Sequence, residues 1–254
     1  MIRIAAVGDI HLGTDSRGSF APCLAGIGDL ADVLLVAGDL TQHGRVSEAE
    51  VAAAELAASE IPVIAVLGNH DHHSDRADEV AAVLGQAGVE VLEGSAALVR
   101  VGGPRAGGCR LGVAGVKGFG GGFAGASGSD FGEPLMKAFV RHTKEVSAGL
   151  RTALESLECD VRVALTHYAP VPDTLAGERP EIFPFLGSYH LAEAVDAGGA
   201  QLALHGHAHG GTERGRTAGG VPVRNVARPV IGKAFALYEV GARLDPAPAV
   251  PASV

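Results

Sequence analysis

The sequence predicts an α/β fold in which two β-sheets are flanked by helices, and three observations carry that expectation. Aliphatic runs of strand length recur along the chain, Ala-rich amphipathic stretches of helical length separate the early ones, and the later runs are separated by turns. Alternation of strand and helix implies a core of parallel strands, and the turn-linked runs imply a second, partly antiparallel sheet. The expected strands are 2–7, 33–37, 63–67, 97–101, 111–114, 161–165, 202–204, 221–225 and 235–240. Helices are expected at 46–59, 76–87, 135–157 and 188–197. The Gly-rich stretch 118–132 and the Pro-containing stretch 169–187 read as long surface loops, not linkers. Residues 1–244 are therefore expected to form a single domain, and 245–254, with three prolines and no period, a frayed tail.

Composition narrows the class. A chain of 254 residues, 47% hydrophobic, can bury one sizeable core. The balance of 20 Lys+Arg against 29 Asp+Glu, net −9, argues against a protein that tracks long nucleic acid by neutralising phosphates. Cys23, Cys109 and Cys159 form no C-x-x-C pair, which suggests neither a disulfide framework nor a thiolate metal site and fits a reducing cytoplasm. The opening MIRIAAVGDIHLG is expected to be a first strand, not a targeting signal. No run approaches the ~20 apolar residues that span a bilayer, so no membrane partner is expected.

The chemistry is concentrated where strands end. The first runs into Gly8-Asp9-Ile10-His11, the second into Gly38-Asp39, the third into Gly68-Asn69-His70-Asp71, a fourth into Thr166-His167 and a fifth into His205-Gly206-His207-Ala208-His209. Ligands of open α/β sheets gather at the carboxyl ends of strands, so these side chains are expected to converge on one rim. Carboxylate, amide and imidazole donors without thiolates suit Mn, Fe, Zn or Mg. Seven donors (Asp9, His11, Asp39, Asn69, His167, His207 and His209) exceed the need of one cation, which argues for two cations bridged by a carboxylate, with Asp39 the natural bridge. Gly8, Gly38, Gly68 and Gly206 would give the turning chain permissive backbone and close approach beneath the ions.

In order along the chain, D-x-H, G-D-x(4)-G, G-N-H-D, a lone His after a strand and G-H-x-H resemble the calcineurin-like metallophosphoesterase superfamily. The resemblance implies a four-layer α/β/β/α sandwich, two mixed β-sheets flanked by helices, with a dinuclear centre. By that pattern Asp9, His11, Asp39 and His209 would hold the first divalent cation, and Asp39, Asn69, His167 and His207 the second, with Mn or Fe favoured. His70 would contact the phosphate and protonate the leaving oxygen, oriented by Asp71, while Asn69 and His70 bind substrate. The nucleophile would be a water shared by the cations, not a side chain.

Departures from subfamily patterns narrow the substrate. Where the protein phosphatases and symmetrical dinucleoside tetraphosphatases carry a phosphate-clamping Arg, this chain has His43. The G-D-L-T-x-x-G and G-N-H-D forms, with Thr166-His167-Tyr168-Ala169-Pro170, look more like the bacterial cyclic-nucleotide phosphodiesterase branch. A small, nucleotide-like phosphodiester is the implied substrate, with phosphomonoesterase, nuclease and non-catalytic metal-binding scaffold as alternatives. An acidic, aromatic-poor chain disfavours the nuclease, and the presence of His70 and every ligand position disfavours the scaffold. His72 and His73 are expected to open an exposed helix outside the site. His43 stands between approaching substrate and a solvated loop, and His205 between supporting the ligands and a core role. The basic residues Arg17, Lys117, Arg141 and Arg179, in or beside candidate rim loops, would meet a second phosphate or a carboxylate or else be merely solvated.

Overall fold

The computed structural model describes residues 1–102 and 108–241. Its first half alternates β1 (Ile2–Val7), α1 (Ile27–Leu30), β2 (Val33–Ala37), α2 (Val46–Leu56), β3 (Val63–Val66), α3 (Ala77–Gln86) and β4 (Val89–Val91). There follow β5 (Ser95–Val101), β6 (Cys109–Val116), the short β7 (Gly122–Phe123) and β8 (Ala126–Ser127), α4 (Pro134–Glu155), β9 (Val161–Thr166), α5 (Phe183–Leu186) and α6 (Tyr189–Ala197). The described chain closes with β10 (Leu202–His205), β11 (Arg214–Arg216), β12 (Pro222–Asn225), α7 (Arg228–Ile231) and β13 (Ala236–Val240).

Two mixed sheets result, ordered β13-β1-β2-β3-β4 and β11-β12-β10-β9-β6-β5, with β7-β8 as a separate ribbon. Period-2 alternation sorts their side chains into layers. Ile2, Ile4, Val33, Leu35 and Ile64 of the first sheet meet Leu111, Val113, Val163 and Leu204 of the second between the sheets. The alternate residues Ala5, Val7, Leu34 and Val36 pack on Leu56 and Leu84 of α2 and α3, and Ala164 and Ala203 pack on Leu150 of α4 and Leu191 of α6. Strands buried on both faces explain why the sequence shows near-continuous aliphatic runs there.

The second sheet is partly antiparallel, as expected: β12, β10, β9 and β6 all run the same way, and β11 and β5 pair antiparallel at its edges. Two expectations need correction. The last strand joins the first sheet, antiparallel to β1, so the chain's end closes the layer it began. The segment from His70 to Asp75 is a series of turns and α3 starts only at Ala77, because backbone bonds such as His73 N–H to the His70 carbonyl (3.1 Å) close turns before helical repeat begins. The stretch 118–132 contains the β7-β8 ribbon and 169–187 contains two 3₁₀ turns and α5. The expected tail, residues 245–254, lies outside the described residues.

The segment after β1 is fixed from α2. The buried Glu55 carboxylate accepts the backbone N–H groups of Gly18, Phe20 (2.8 Å) and Ala21 (2.6 Å), and so seats Phe20 in the core. Removing the acceptor leaves these donors without a partner, and Glu55→Ala is expected to cost roughly 2–4 kcal/mol of stability in urea unfolding.

Candidate metal centre

Every candidate ligand follows the carboxyl end of a parallel strand: Asp9 and His11 follow β1, Asp39 β2, Asn69 β3, His167 β9, and His207 and His209 β10. Cross-strand bonds lock these ends together. Asp9 N–H donates to the Gly38 carbonyl (3.0 Å), His11 N–H to Asp39 (3.0 Å), and Gly206 N–H to His167 (3.1 Å). Donor atoms consequently gather in three overlapping groups: Asp9, His11 and His209; His11, Asp39 and His70; and Asp39, His167 and His207. Asn69 joins the last through its Oδ1, 2.8 Å from His167 Nε2.

Asp39 links the groups. It is buried, with Oδ2 3.6 Å from His11 Nε2 and Oδ1 3.4 Å from His167 Nε2, and Oδ1 also accepts the His70 N–H at 2.8 Å. Close approach is achieved by removing side chains elsewhere. A Cβ at Gly38, whose φ is +83°, would meet the His167 ring at 2.5 Å, and one at Gly68 would overlap the Asp39 carboxylate. Of the four strand-end glycines, expected for permissive backbone and close approach, Gly38 takes positive φ, and Gly68 and Gly206 make the close approach, where a Cβ would meet the Asp39 and Asp9 carboxylates. The left-handed backbone falls instead on Asp9 (φ 58°), His11 (45°), Asp39 (52°) and His207 (69°), a strained conformation for residues with a Cβ and one that persists at sites the surrounding fold over-determines.

The donor set fits divalent cations. The buried Nε2 of His11 has no hydrogen-bond partner among the described residues. His167 Nδ1 donates to the Ala37 carbonyl (2.9 Å), leaving the Nε2 lone pair facing Asn69 Oδ1 and Asp39 Oδ1. Acceptor atoms so close together repel unless a cation lies among them, and an imidazole held through its other nitrogen is the usual preparation of a ligand. His207 Nε2 donates to the Phe185 carbonyl (3.3 Å), which leaves Nδ1 for the centre.

Electrostatics favour the metal-competent protonation states of His11, His207 and Asp9 and oppose that of His209. Burial lowers the pKa of His11, and burial together with the nearby His167 pushes His207 down to about 3. Burial raises the Asp9 pKa, but the His209 hydrogen bond (2.8 Å) and the nearby imidazoles outweigh it and the net shift is downward. The same bond raises His209.

The structure reassigns the support of His70. Its Nδ1 donates to the Gln42 carbonyl (2.8 Å), and this carbonyl, not Asp71, orients the ring. Asp71 is fully buried and accepts from the backbone of Leu40 (3.2 Å), Thr41 (2.8 Å) and Gly68 (2.8 Å) and from the Thr41 hydroxyl (2.6 Å), tying the loops after β2 and β3 together. Burial raises its pKa. His43 turns to Glu48 (3.2 Å), and His73 stacks against His70 with ring centroids 4.6 Å apart. His205 is buried between the Gly206 carbonyl (2.7 Å) and the Thr174 hydroxyl (2.8 Å), a core role. Sequence reasoning missed Thr41, Gln42 and Asn225, whose amide holds the Ala208 carbonyl (2.8 Å). Carbonyl acceptors leave no residue-type signal, whereas Thr41 and Asn225, polar residues beside buried runs, carry one.

The chain belongs to the calcineurin-like phosphoesterase family, which it matches over residues 2–211. A phosphopantetheinyl hydrolase from Mycobacterium tuberculosis shares the fold, with 19% identity, a TM-score of 0.63 and 88% of each chain covered. An anchor protein of the inner membrane complex of Plasmodium aligns at 11% identity and a TM-score of 0.53, over 90% of this chain and 72% of that one. A protein of Thermus thermophilus aligns at 16% and 0.50, over 88% of each chain. No curated protein matches the chain. No helix among the described residues is long and apolar enough to cross a membrane.

His205 sets an expected pH response. Burial lowers its pKa from 6.5 to about 4. The unfolded chain takes up this proton first, so the stability of metal-stripped protein is expected to fall as pH drops from about 6.5 to 4, by roughly 3 kcal/mol from this group. Urea midpoints measured across that range should fall less steeply in His205→Gln than in wild type.

Proposed function

We propose that the chain is a phosphodiesterase with two divalent cations, acting on a small nucleotide-like phosphoester as a single cytoplasmic domain. The observation that carries the reading is the Asp39 carboxylate, with one oxygen toward His11 and the other toward His167. Asp9, His11, Asp39 and His209 would hold the first cation and Asp39, Asn69, His167 and His207 the second, with Mn or Fe suited to the mixed donors. When bound, the two cations supply a water of lowered pKa and neutralise charge on the phosphoryl oxygens.

The chain's own groups do the rest. His70 spends its Nδ1 hydrogen on Gln42, which leaves Nε2 to face substrate; as the imidazolium it carries a second proton there, passes it to the leaving oxygen and returns to the neutral ring. Its ring stands edge-on to His11, centroids 4.5 Å apart, so the acid belongs to the side of the first cation. Asn69, with Oδ1 turned to His167, has its amide N–H groups free to bind a phosphoryl oxygen. Asp71 acts through the backbone, holding the Asp39 and Asn69 loops in register. With His43 paired to Glu48 where relatives place a clamping Arg, the site offers less compensation for a dianion than for a diester monoanion.

After metal loading, bis-p-nitrophenyl phosphate is expected to turn over faster than p-nitrophenyl phosphate; the reverse order overturns the diester preference. His70→Ala should lose about 10²–10⁴ in kcat with cation content by mass spectrometry unchanged. Two bound cations without turnover of either ester or of cyclic nucleotides would favour the scaffold instead. Asp39→Asn is expected to bring the stoichiometry below two cations per chain.

A further inference from the structure

Of the four basic residues that the sequence puts in or beside candidate rim loops, the structure sets one apart. Arg141 pairs with Asp130 at 3.3 Å, while Arg17 and Arg179 are exposed. Lys117 differs. It follows β6 directly, and its carbonyl accepts the N–H groups of His167 (2.9 Å) and Tyr168 (3.0 Å), which anchors it beside the group formed by Asp39, His167 and His207.

Its side chain lies against two aromatic rings, with Nζ 5.1 Å from the Phe119 centroid and 5.2 Å from that of Tyr168. Tyr168 in turn stacks 4.4 Å from His207, so ammonium, phenol ring and candidate ligand form one continuous wall. Phe119 is braced from behind by Phe139 (5.0 Å) and His142 (4.6 Å). The ammonium makes a single long hydrogen bond, 3.4 Å to the Gly118 carbonyl, and no carboxylate among the described residues lies within ion-pair distance. Glu93 Oε2 accepts the Lys117 backbone N–H at 2.9 Å but lies beyond ion-pair distance of the ammonium, and burial, opposed by Glu93 and Asp39, lowers the Lys117 pKa.

A half-buried ammonium is costly without a counter-ion, and the ring quadrupoles offset part of that cost. The arrangement keeps the charge in place without neutralising it, as a binding site for an anion requires. We infer that Lys117, walled by Phe119 and Tyr168, is the subsite for a second phosphate on the substrate, adjoining the scissile phosphoester. The inference rests on the phosphodiesterase reading and deepens it: the substrate class becomes a small organic diester of pyrophosphate type. Lysine suits the task as a compact charge that meets phosphate oxygens singly.

The test compares wild type, Lys117→Met and Lys117→Arg on diadenosine pyrophosphate and bis-p-nitrophenyl phosphate, with melting curves to verify folding. The methionine variant should lose at least tenfold in kcat/KM on the pyrophosphate and stay within twofold on bis-p-nitrophenyl phosphate, which has a single phosphate, with recovery by arginine. Equal losses on both esters, or no loss on either, overturn the inference, as does wild-type protein that cleaves the simple diester and not the pyrophosphate. Failure of wild type on both esters strikes the phosphodiesterase reading itself. The subsite is then decided by calorimetry with inorganic pyrophosphate and inorganic phosphate: a preference for pyrophosphate that Lys117→Met abolishes upholds it, and equal affinities overturn it.

Discussion

A carboxylate buried at the meeting point of two sheets is the constraint on which the rest of the site depends. Asp39 has almost no exposed surface, and an ionised carboxylate in that position is tolerable only with dense compensation. The structure supplies it from several directions: the His70 N–H bonds to Oδ1, while imidazoles from β1 and β9 stand on either side. None of these partners is local in sequence. The sandwich must close before the charge is paired, so the burial of aliphatic strands between the sheets bears the cost of assembling the polar rim.

That assembly is stored in the backbone. Four candidate ligands take left-handed φ values at the points where their strands break off. Such conformations cost of order 1–3 kcal/mol each and survive because neighbouring bonds leave the chain no alternative. Asp71 shows how. Its carboxylate gathers N–H groups from Leu40, Thr41 and Gly68, so the loops carrying Asp39 and Asn69 cannot move apart without stranding a buried acid. The residue expected to orient a catalytic histidine instead orients the platform beneath it.

What was legible in the sequence follows from these forces. Strands buried on both faces announce themselves as aliphatic runs, and side chains with no helical or strand period, such as Asp9, Asp39 and His167, stand out at their ends. The short β4, β7, β8 and β11 left no such mark, since pairs of two or three residues form only because tertiary neighbours hold them. Direction was harder than existence. Nothing local in residues 236–240 says that they return to the first sheet, because that choice is made by the open edge of β1. The support of His70 and His167 by backbone carbonyls was invisible for a plainer reason: every residue has one.

Composition misleads in the same way when it is averaged. At 4% aromatic residues the chain reads as poor in stacking surfaces, yet six of its eight Phe residues (119, 123, 131, 139, 183 and 185) fall between positions 119 and 185. Phe123 packs with Phe183 and Leu186 in a small cluster of its own, and the Phe185 carbonyl reaches His207. The second half of the chain thus provides His167 and His207, which meet Asp39 and Asn69 from the first half, and the apolar wall that adjoins them. Two layers of constraint are separated along the sequence: strand ends that bring the candidate ligands together, and a loop-borne wall between β6 and α6 that stands beside them. The wall packs in a cluster of its own, so the buried Asp39 carboxylate and its imidazoles are held by bonds that the wall does not make.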